Sequence, residues 1–161
     1  MEILFGSLPY DEVLRFLQAT DCEFQVPLAQ KLDIPEYAAK LARYSMFAYA
    51  KEGDGIIGMI SCYMNRPPRG YISHVCVRSE HQGKGLFTKL FARIVGEAKA
   101  KGIESLTLEA DDFNTGARRL YTRLGFRCVG KASAHSDYFE YDIRQHHDAA
   151  PSDIPTDPHT T

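Results

Sequence analysis

A short loop with two glycines separates a strand-like run from a strongly helical run, and this arrangement suits an anion. The strand-like run spans residues 71–77, the glycines are Gly83 and Gly85, and helical periodicity begins at Leu86. The first amides of a helix lack partners inside the helix, and the helix dipole is positive there. Because glycine lets the backbone approach a ligand closely, the sequence predicts a pyrophosphate cradle. A Walker A loop is excluded, since Gly85 rather than Ser or Thr follows Lys84; a tight structural turn is the alternative.

Two side chains further along the chain are candidates for proton transfer. Glu109 is a carboxylate within the apolar run 106–110, where an ionised group is costly unless it is used or paired. Tyr121 lies on the apolar stripe of a short helix, and a phenol is protonated at neutral pH and able to donate its proton. The alternatives are an ion pair of Glu109 with Arg118 or Arg119, and simple packing of the Tyr121 ring.

Both regions form ordered patterns that together cover residues 71–129. The first follows Q/R-x-x-G-x-G/A at Gln82, Gly83, Lys84, Gly85 and Leu86, with Phe87 where Gly or Ala is usual. The second follows L-x-L-E-V…N…A…L-Y-x-x-x-G-F at residues 106–110, Asn114, Ala117, Leu120, Tyr121 and 124–126. Both patterns resemble the GNAT superfamily of acetyl-CoA-dependent N-acetyltransferases. A side chain as large as Phe87 must then point away from the phosphates, or the cofactor must sit slightly differently.

The resemblance implies acetyl-CoA as cosubstrate, no metal, and a role for each matched residue. Tyr121 would be the general acid for the departing thiolate, and Glu109 the general base, as in the ribosomal-protein-alanine N-acetyltransferase branch. Asn114 would contact the cofactor arm or cap its helix. An amide near Val75 would hydrogen-bond the acetyl oxygen. The cofactor-binding residues that the resemblance implies are Val75, Val77, Gln82, Gly83, Lys84, Gly85, Leu86, Thr88, Asn114 and Tyr121.

His74 is the rival base, because the ordinary pKa of imidazole suits proton transfer at neutral pH. Strict alternation along the strand places His74 on the face of Ile72 and Cys76, opposite Tyr71 and Ser73. Bases on this strand of the family tend to lie on the Tyr71 and Ser73 side. We therefore expect a structural histidine, and a water relay is a third possibility for the base.

The elements that position these residues alternate between the two types and predict one α/β (α+β) domain. Strands are expected at 3–5, 46–50, 56–63, 71–77, 105–110, 126–129 and 138–143. Helices are expected at 11–19, after an Asp33 cap with Pro35 in the first turn, at 86–100 and at 117–124. The resemblance implies a mixed, mostly antiparallel sheet of about six or seven strands, splayed at its centre, with about four helices.

One further glycine pattern, G-x-G-x-x-G from Gly53 to Gly58, does not indicate a dinucleotide site. Such a site must leave a strand and open a helix, whereas these glycines lie between two strand-like runs. We predict a hairpin turn here, followed by a break at residues 65–70.

Composition and charge exclude several classes of protein. The formal net charge of −2 argues against a nucleic-acid footprint or a basic membrane anchor. Cys22, Cys62, Cys76 and Cys128 are scattered, so we expect reduced thiols, three of them small buried strand residues, and neither a disulfide framework nor a zinc site. No secretory or membrane-spanning segment is evident, which predicts a cytoplasmic protein. Residues 1–145 are expected to form the domain and residues 146–161, with His146 and His147, a disordered tail.

The resemblance implies an N-acetyltransferase in which an amine attacks acetyl-CoA directly in a ternary complex. The acceptor is expected to be a small molecule such as an amino-sugar, or a peptide amine. Mixed aromatic and polar residues are candidates for its site: Phe24, Tyr37, Tyr63, Asn65 and Tyr138. The alternatives are a non-catalytic acyl-CoA sensor, a plain nucleotide-binding domain, or a protein N-terminal acetyltransferase. No nucleic acid or membrane partner is expected, and the sequence allows a monomer or a homodimer.

Overall fold

Seven strands form one mixed sheet in the computed structural model, which describes residues 2–21 and 27–145. In chain order they are β1 Ile3–Gly6, β2 Ser45–Glu52, β3 Gly55–Arg66, β4 Arg69–Val77, β5 Ser105–Asp111, β6 Arg127–Ser133 and β7 Ser136–Asp142. Their order across the sheet is β1-β2-β3-β4-β5-β7-β6. Every neighbouring pair is antiparallel except β4 and β5, which are parallel. The predicted mixed, mostly antiparallel sheet is confirmed.

Four α-helices accompany this sheet within the described residues. They are α1 Tyr10–Thr20, α2 Ile34–Tyr44, α3 Leu86–Ala100 and α4 Thr115–Leu124. Helix α2 begins as predicted, because the Asp33 carboxylate accepts a hydrogen bond from the Glu36 amide at 3.0 Å and a proline stands in the first turn. Helix α3 has the predicted bounds and ends just before Gly102, whose φ is 81°.

The helices cover the sheet on both sides. On one side, which we call the α1/α2 face, Leu17 and Leu41 pack with Met59 of β3. On the other, the α3/α4 face, Leu90 and Leu120 belong to a larger cluster of buried side chains. Burial of an apolar face on each helix is what holds the three layers together.

The pairing of β4 with β5 is short and ends inside both strands. Only Arg69 with Ser105, Gly70 with Leu106, and Tyr71 with Thr107 are in register. Beyond this point, residues 72–77 of β4 remain beside β3, and residues 108–111 of β5 remain paired with β7. The two strands therefore part after Tyr71 and Thr107, which leaves a gap at the centre of the sheet.

A β-bulge lies in β4 at the point where this gap begins. Ser61 of β3 pairs with His74, but the next residue, Cys62, pairs with Ile72. Ser73 is thus an extra residue in β4 and breaks the alternation of side chains.

The bulge overturns the predicted orientation of His74. The His74 ring packs edge-on against the ring of Tyr37 on α2, with centroids 6.0 Å apart. Cys76 also joins the α1/α2 cluster, whereas Ile72 belongs to the α3/α4 cluster. Strict alternation was therefore wrong: His74 lies on the same face as Ser73, whose hydroxyl contacts that of Ser61.

The predicted break between β3 and β4 is shorter than expected. Asn65 and Arg66 still belong to β3, and β4 already begins at Arg69, so only Pro67 and Pro68 form the turn. The sheet thus extends further than the sequence indicated, and places both arginines on strands.

The glycines between β2 and β3 form a hairpin turn, as predicted. Gly53 has a φ of 63° and lies in the turn itself. Gly58 lies inside β3, where an added Cβ would be 3.1 Å from the side chain of Leu86. This glycine allows α3 to pack closely on the sheet.

One thiol differs from the prediction. Cys62 and Cys76 are buried, but Cys128 is exposed because β6 is an edge strand with little cover. Cys22 and Phe24, and the predicted tail with His146 and His147, lie outside the described residues.

Neither a membrane span nor a metal site is found in residues 2–21 and 27–145. No helix there has the length and apolar character needed to cross a bilayer. The same ranges hold no group of three or more His, Cys, Asp or Glu side chains able to bind a metal ion.

Candidate active site

The glycine loop leads from the end of β4 into the start of α3. Gly83 and Gly85 have φ values of 76° and 78°, in the left-handed region that glycine adopts without strain. Gly85 is the N-cap of α3, and no side chain caps this helix end. The amides at the helix start therefore have no partner within the helix and can bind an anion.

Gln82 connects this loop to β4. Its side-chain amide donates a hydrogen bond to the Val77 carbonyl at 2.9 Å. Lys84 is exposed between the two glycines. The predicted pyrophosphate residues thus stand together where the strand ends and the helix begins.

Phe87, the residue that departs from the family pattern, points into the core. It is 4% exposed, its ring stacks on that of Phe91 with centroids 6.2 Å apart, and it lies 6.3 Å from the ring of Tyr121. The side chain consequently leaves the amides at the helix start uncovered, which is the first of the two alternatives.

Tyr121 lies on the α3/α4 face, within its cluster of buried side chains. Its ring packs on Phe126 and Phe139 at centroid distances of 5.6 and 6.4 Å, and 9% of the residue is exposed. Val77 belongs to the same cluster, and Val75 packs against it. Burial raises the pKa of the Tyr121 phenol to about 12, so the group keeps its proton at neutral pH.

Glu109 lies on the opposite face of β5 from this cluster. Its neighbours Leu108 and Ala110 point into the α3/α4 cluster, so alternation directs Glu109 to the α1/α2 face, where it is exposed. The Ser136 hydroxyl donates a hydrogen bond to the Glu109 carboxylate at 2.6 Å. Ser133 in turn lies 2.6 Å from Ser136, oxygen to oxygen.

The alternative, an ion pair of Glu109 with Arg118 or Arg119, is wrong, because neither arginine lies within ion-pair distance of the Glu109 carboxylate. Arg118 instead binds Asp137 at 2.8 Å and lies 3.9 Å from Asp112. Glu109 does act on Tyr71: burial first, and then the nearby Glu109 charge, raise the pKa of Tyr71 to about 12. Tyr71 is also in register with Thr107, which shares a face of β5 with Glu109, so the carboxylate and this phenol lie on the same face of the sheet.

Asn114 caps α4. Its side-chain oxygen accepts a hydrogen bond from the Ala117 amide at 3.3 Å. Of the two roles left open by the sequence, the structure shows the cap.

A cavity of about 390 Å³ opens on the α1/α2 face, around the segment where β4 and β5 pair and next to the gap. It is lined by Tyr63, Asn65, Arg66, Arg69, Gly70, Tyr71, Thr107, Val129 and Tyr138. Three of the five predicted acceptor residues, Tyr63, Asn65 and Tyr138, are among them.

A fourth predicted residue, Tyr37, borders the same region. Its hydroxyl donates a hydrogen bond to the Ser73 carbonyl at 2.8 Å, and burial together with Tyr63 and Tyr71 raises its pKa. Phe24 lies outside the described residues. The sequence missed Tyr71 and Thr107, although Thr107 lies two residues before Glu109 on the same face of β5.

The comparisons with known proteins agree with this geometry. The sequence profile of the acetyltransferase (GNAT) family matches residues 13–126. The chain belongs to the GNAT family. Membership confirms the predicted family.

Two curated relatives of this GNAT chain are N-alpha-acetyltransferases. The chain is 38% identical over 73 residues to N-alpha-acetyltransferase MAK3 of Arabidopsis thaliana, covering 44% of this chain and 38% of that protein. It is 32% identical over 81 residues to N-alpha-acetyltransferase 30 of Schizosaccharomyces pombe, covering 48% and 54%. The chain therefore matches about half or less of the length of these relatives.

Solved structures confirm the GNAT fold. The PaiA N-acetyltransferase of Thermoplasma acidophilum, solved with coenzyme A, has a TM-score of 0.70 at 16% identity, covering 88% of this chain and 99% of that one. Arabidopsis thaliana NAA60, solved with a bisubstrate analogue, has a TM-score of 0.67 at 18% identity, covering 88% and 98%.

The structure of this GNAT domain also shows the surroundings of His74, the rival candidate for the base. It is 6% exposed, and burial lowers its pKa to about 4, so the imidazole is neutral at physiological pH. Although the bulge places it on the face of Ser73, it packs against Tyr37 and does not line the cavity. The predicted structural role agrees with this environment.

Proposed function

We propose that this GNAT enzyme transfers the acetyl group of acetyl-CoA to the α-amine of a peptide, by direct attack in a ternary complex. The resemblance to two N-alpha-acetyltransferases at 38% and 32% identity supports a peptide acceptor. A small amine such as an amino-sugar is the competing acceptor, and the assay below separates the two.

The observation that carries the proposal is the end of β4–β5 pairing at Tyr71 and Thr107 while both strands continue. The backbone groups of Val75 and Val77 on the side of the gap are then candidates for pairing with an extended ligand. At the far end of that stretch stands the loop with Gly83 and Gly85. A long chain ending in a pyrophosphate fits this combination of groups.

The residues that would hold acetyl-CoA follow from this placement. Val75 and Val77 would bind its arm through their main chain. The amides from Gln82 to Leu86, with Thr88, would bind its pyrophosphate. Acetyl-CoA supplies an activated thioester carbonyl, and an amide near Val75 would polarise that carbonyl.

Proton transfer would involve one side chain on each face of the sheet, Glu109 of β5 and Tyr121 of α4. The Glu109 carboxylate, exposed on the α1/α2 face, would accept a proton from the acceptor ammonium and leave a neutral amine. Ser136 holds that carboxylate in position. The Tyr121 phenol, buried on the α3/α4 face, would donate its proton to the departing sulfur.

The assay measures free thiol release with acetyl-CoA and a panel of peptides and amino-sugars, with product masses by mass spectrometry. Each of Glu109→Gln and Tyr121→Phe is expected to lower kcat by about 10²- to 10⁴-fold, the usual contribution of a general acid or base. The Kd for CoA should stay unchanged.

Glu104→Gln and Tyr44→Phe are the matched controls, because both side chains are exposed and outside the site. Acetylation of amino-sugars alone would refute the peptide acceptor. Normal turnover in both Glu109→Gln and Tyr121→Phe would refute the proton-transfer roles.

A further inference from the structure

We propose that the acceptor carries an anionic group, a carboxylate or phosphate, that Arg66 and Arg69 bind at the end of the cavity away from Glu109. This inference rests on the proposed function and specifies the substrate class of the same site. It makes the two arginines determinants of acceptor specificity.

The first support is the pairing of the two arginines. Arg66 and Arg69 are directly opposite each other in register across the turn at Pro67 and Pro68, and both line the cavity. Like charges opposite one another destabilise an antiparallel pair. A bound anion would relieve this repulsion, and an Arg pair is well suited to carboxylate or phosphate.

The second support is the absence of an internal counter-charge. Within residues 2–21 and 27–145, no carboxylate lies within ion-pair distance of Arg66 or Arg69. The remaining lining side chains are neutral: tyrosines, an asparagine, a threonine and a valine. The charge of the cavity lining is therefore wholly cationic.

The third support is the distribution of charge along the site. Arg69 is in register with Ser105 of β5, and Glu109 stands four positions further along that strand. At about 3.3 Å per residue, the strand positions lie about 13 Å apart. Thr107 is the β5 residue that lines the cavity, and Glu109 lies two positions beyond it, so the carboxylate stands past one end of the cavity while the two guanidinium groups line the other.

This spacing selects among anionic amines. The arginine side chains can extend over part of this distance towards Glu109. The bound anion should therefore lie about 6 to 13 Å from the acceptor amine, which is the length of two to four extended residues. The carboxylate of a free α-amino acid is too close to its amine. An acidic side chain at the second to fourth position of a peptide fits, and so does a phosphate at the far end of an amino-sugar.

The test compares acceptors that differ only in the charge of this distal group. Three peptides share their N-terminal residue and carry Glu-Glu, Gln-Gln or Lys-Lys at positions two and three; glucosamine 6-phosphate against glucosamine forms the second arm. We expect kcat/KM to fall about tenfold from the Glu to the Gln peptide, and further for Lys, mainly through KM. The arm that shows the larger effect identifies the source of the anion.

The double variant Arg66→Gln/Arg69→Gln should lose this preference, whereas Arg119→Gln, an exposed arginine on α4, should keep it. Because a repulsive pair is removed, the melting temperature of the double variant should be equal to or above that of the wild type. A clear drop in melting temperature would show a structural role and overturn the inference, even if the preference were lost.

The remaining outcomes are separable. Transfer to the peptides without any preference for acids, or a preference that survives in the double variant, overturns the anion site and leaves the proposed function intact. Lack of transfer to every amine refutes the proposed function itself, and with it the anion site.

Discussion

Replacing His74 should remove the part of the pH dependence of the free energy of unfolding that its buried imidazole causes between pH 6.5 and about 4. Burial lowers the pKa of His74 from 6.5 to about 4, and no charged side chain contributes to that shift. Between these two values the unfolded chain binds a proton that the folded protein does not. The free energy of unfolding therefore falls as the pH falls from 6.5 towards 4.

The magnitude follows from the difference in pKa. At about 1.4 kcal/mol per pH unit, the full effect of a shift of this size is about 3 kcal/mol. By pH 5 about 2 kcal/mol of it should already be lost. From about one unit above pH 6.5 the contribution is nearly constant, because the imidazole is then almost wholly neutral in both states.

The assay is urea denaturation at pH 7.5 and pH 5.0, on wild type and on His74→Gln and His74→Asn. Each variant keeps a polar side chain and lacks a titrating group. In both variants the decrease in the free energy of unfolding from pH 7.5 to pH 5.0 should therefore be smaller than in the wild type by about 2 kcal/mol. His135→Gln is the matched control, since His135 is exposed and keeps its hydration in the folded protein. An undiminished pH dependence in both His74 variants would show that the imidazole is not held neutral in the core.

Two further substitutions test the positioning of the site. Gly70→Ala places a Cβ 2.8 Å from the Leu106 side chain, within the short segment where β4 and β5 pair. The free energy of unfolding measured by urea titration should therefore fall by about 1–3 kcal/mol. An unchanged free energy of unfolding would mean that the two strands are not so close. Asn114→Ala removes the cap of α4 and should cost about 1 kcal/mol, while Asn114→Asp should retain most of it; equal losses in the two variants would argue against the cap.

Local sequence signals predicted most of the elements around the site. The bounds of α3 follow from its apolar periodicity and from Gly102, and the start of α2 follows from the cap at Asp33. Such signals depend on neighbours along the chain, which the sequence shows directly. The glycine loop was found in the same way.

Features set by strand pairing were harder to predict. The orientation of His74 was wrong, because the extra residue Ser73 exists only through the register of β4 on β3. The hydrogen bond from Ser136 to Glu109 joins residues far apart in sequence. Cys128 was expected to be buried, since nothing local shows that its strand lies at the edge of the sheet.

Arg66 and Arg69 were missed for a related reason. Prolines and polar residues between 65 and 70 indicated a loop, whereas β3 and β4 continue to within two residues of each other. The cavity arises from side chains of five strands, β3 to β7, so no single segment of the sequence reveals it. The gap between β4 and β5 could be expected only from the family resemblance.

We propose that coenzyme A lies between β4 and β5 with its pyrophosphate on the first amides of α3. The most direct measurement is a titration of the isotopically labelled protein with CoA, followed by backbone amide NMR. We expect the largest shift changes on residues 72–77 and 82–88. Changes confined to the cavity around Tyr63 and Arg69, with the glycine loop unaffected, would contradict it.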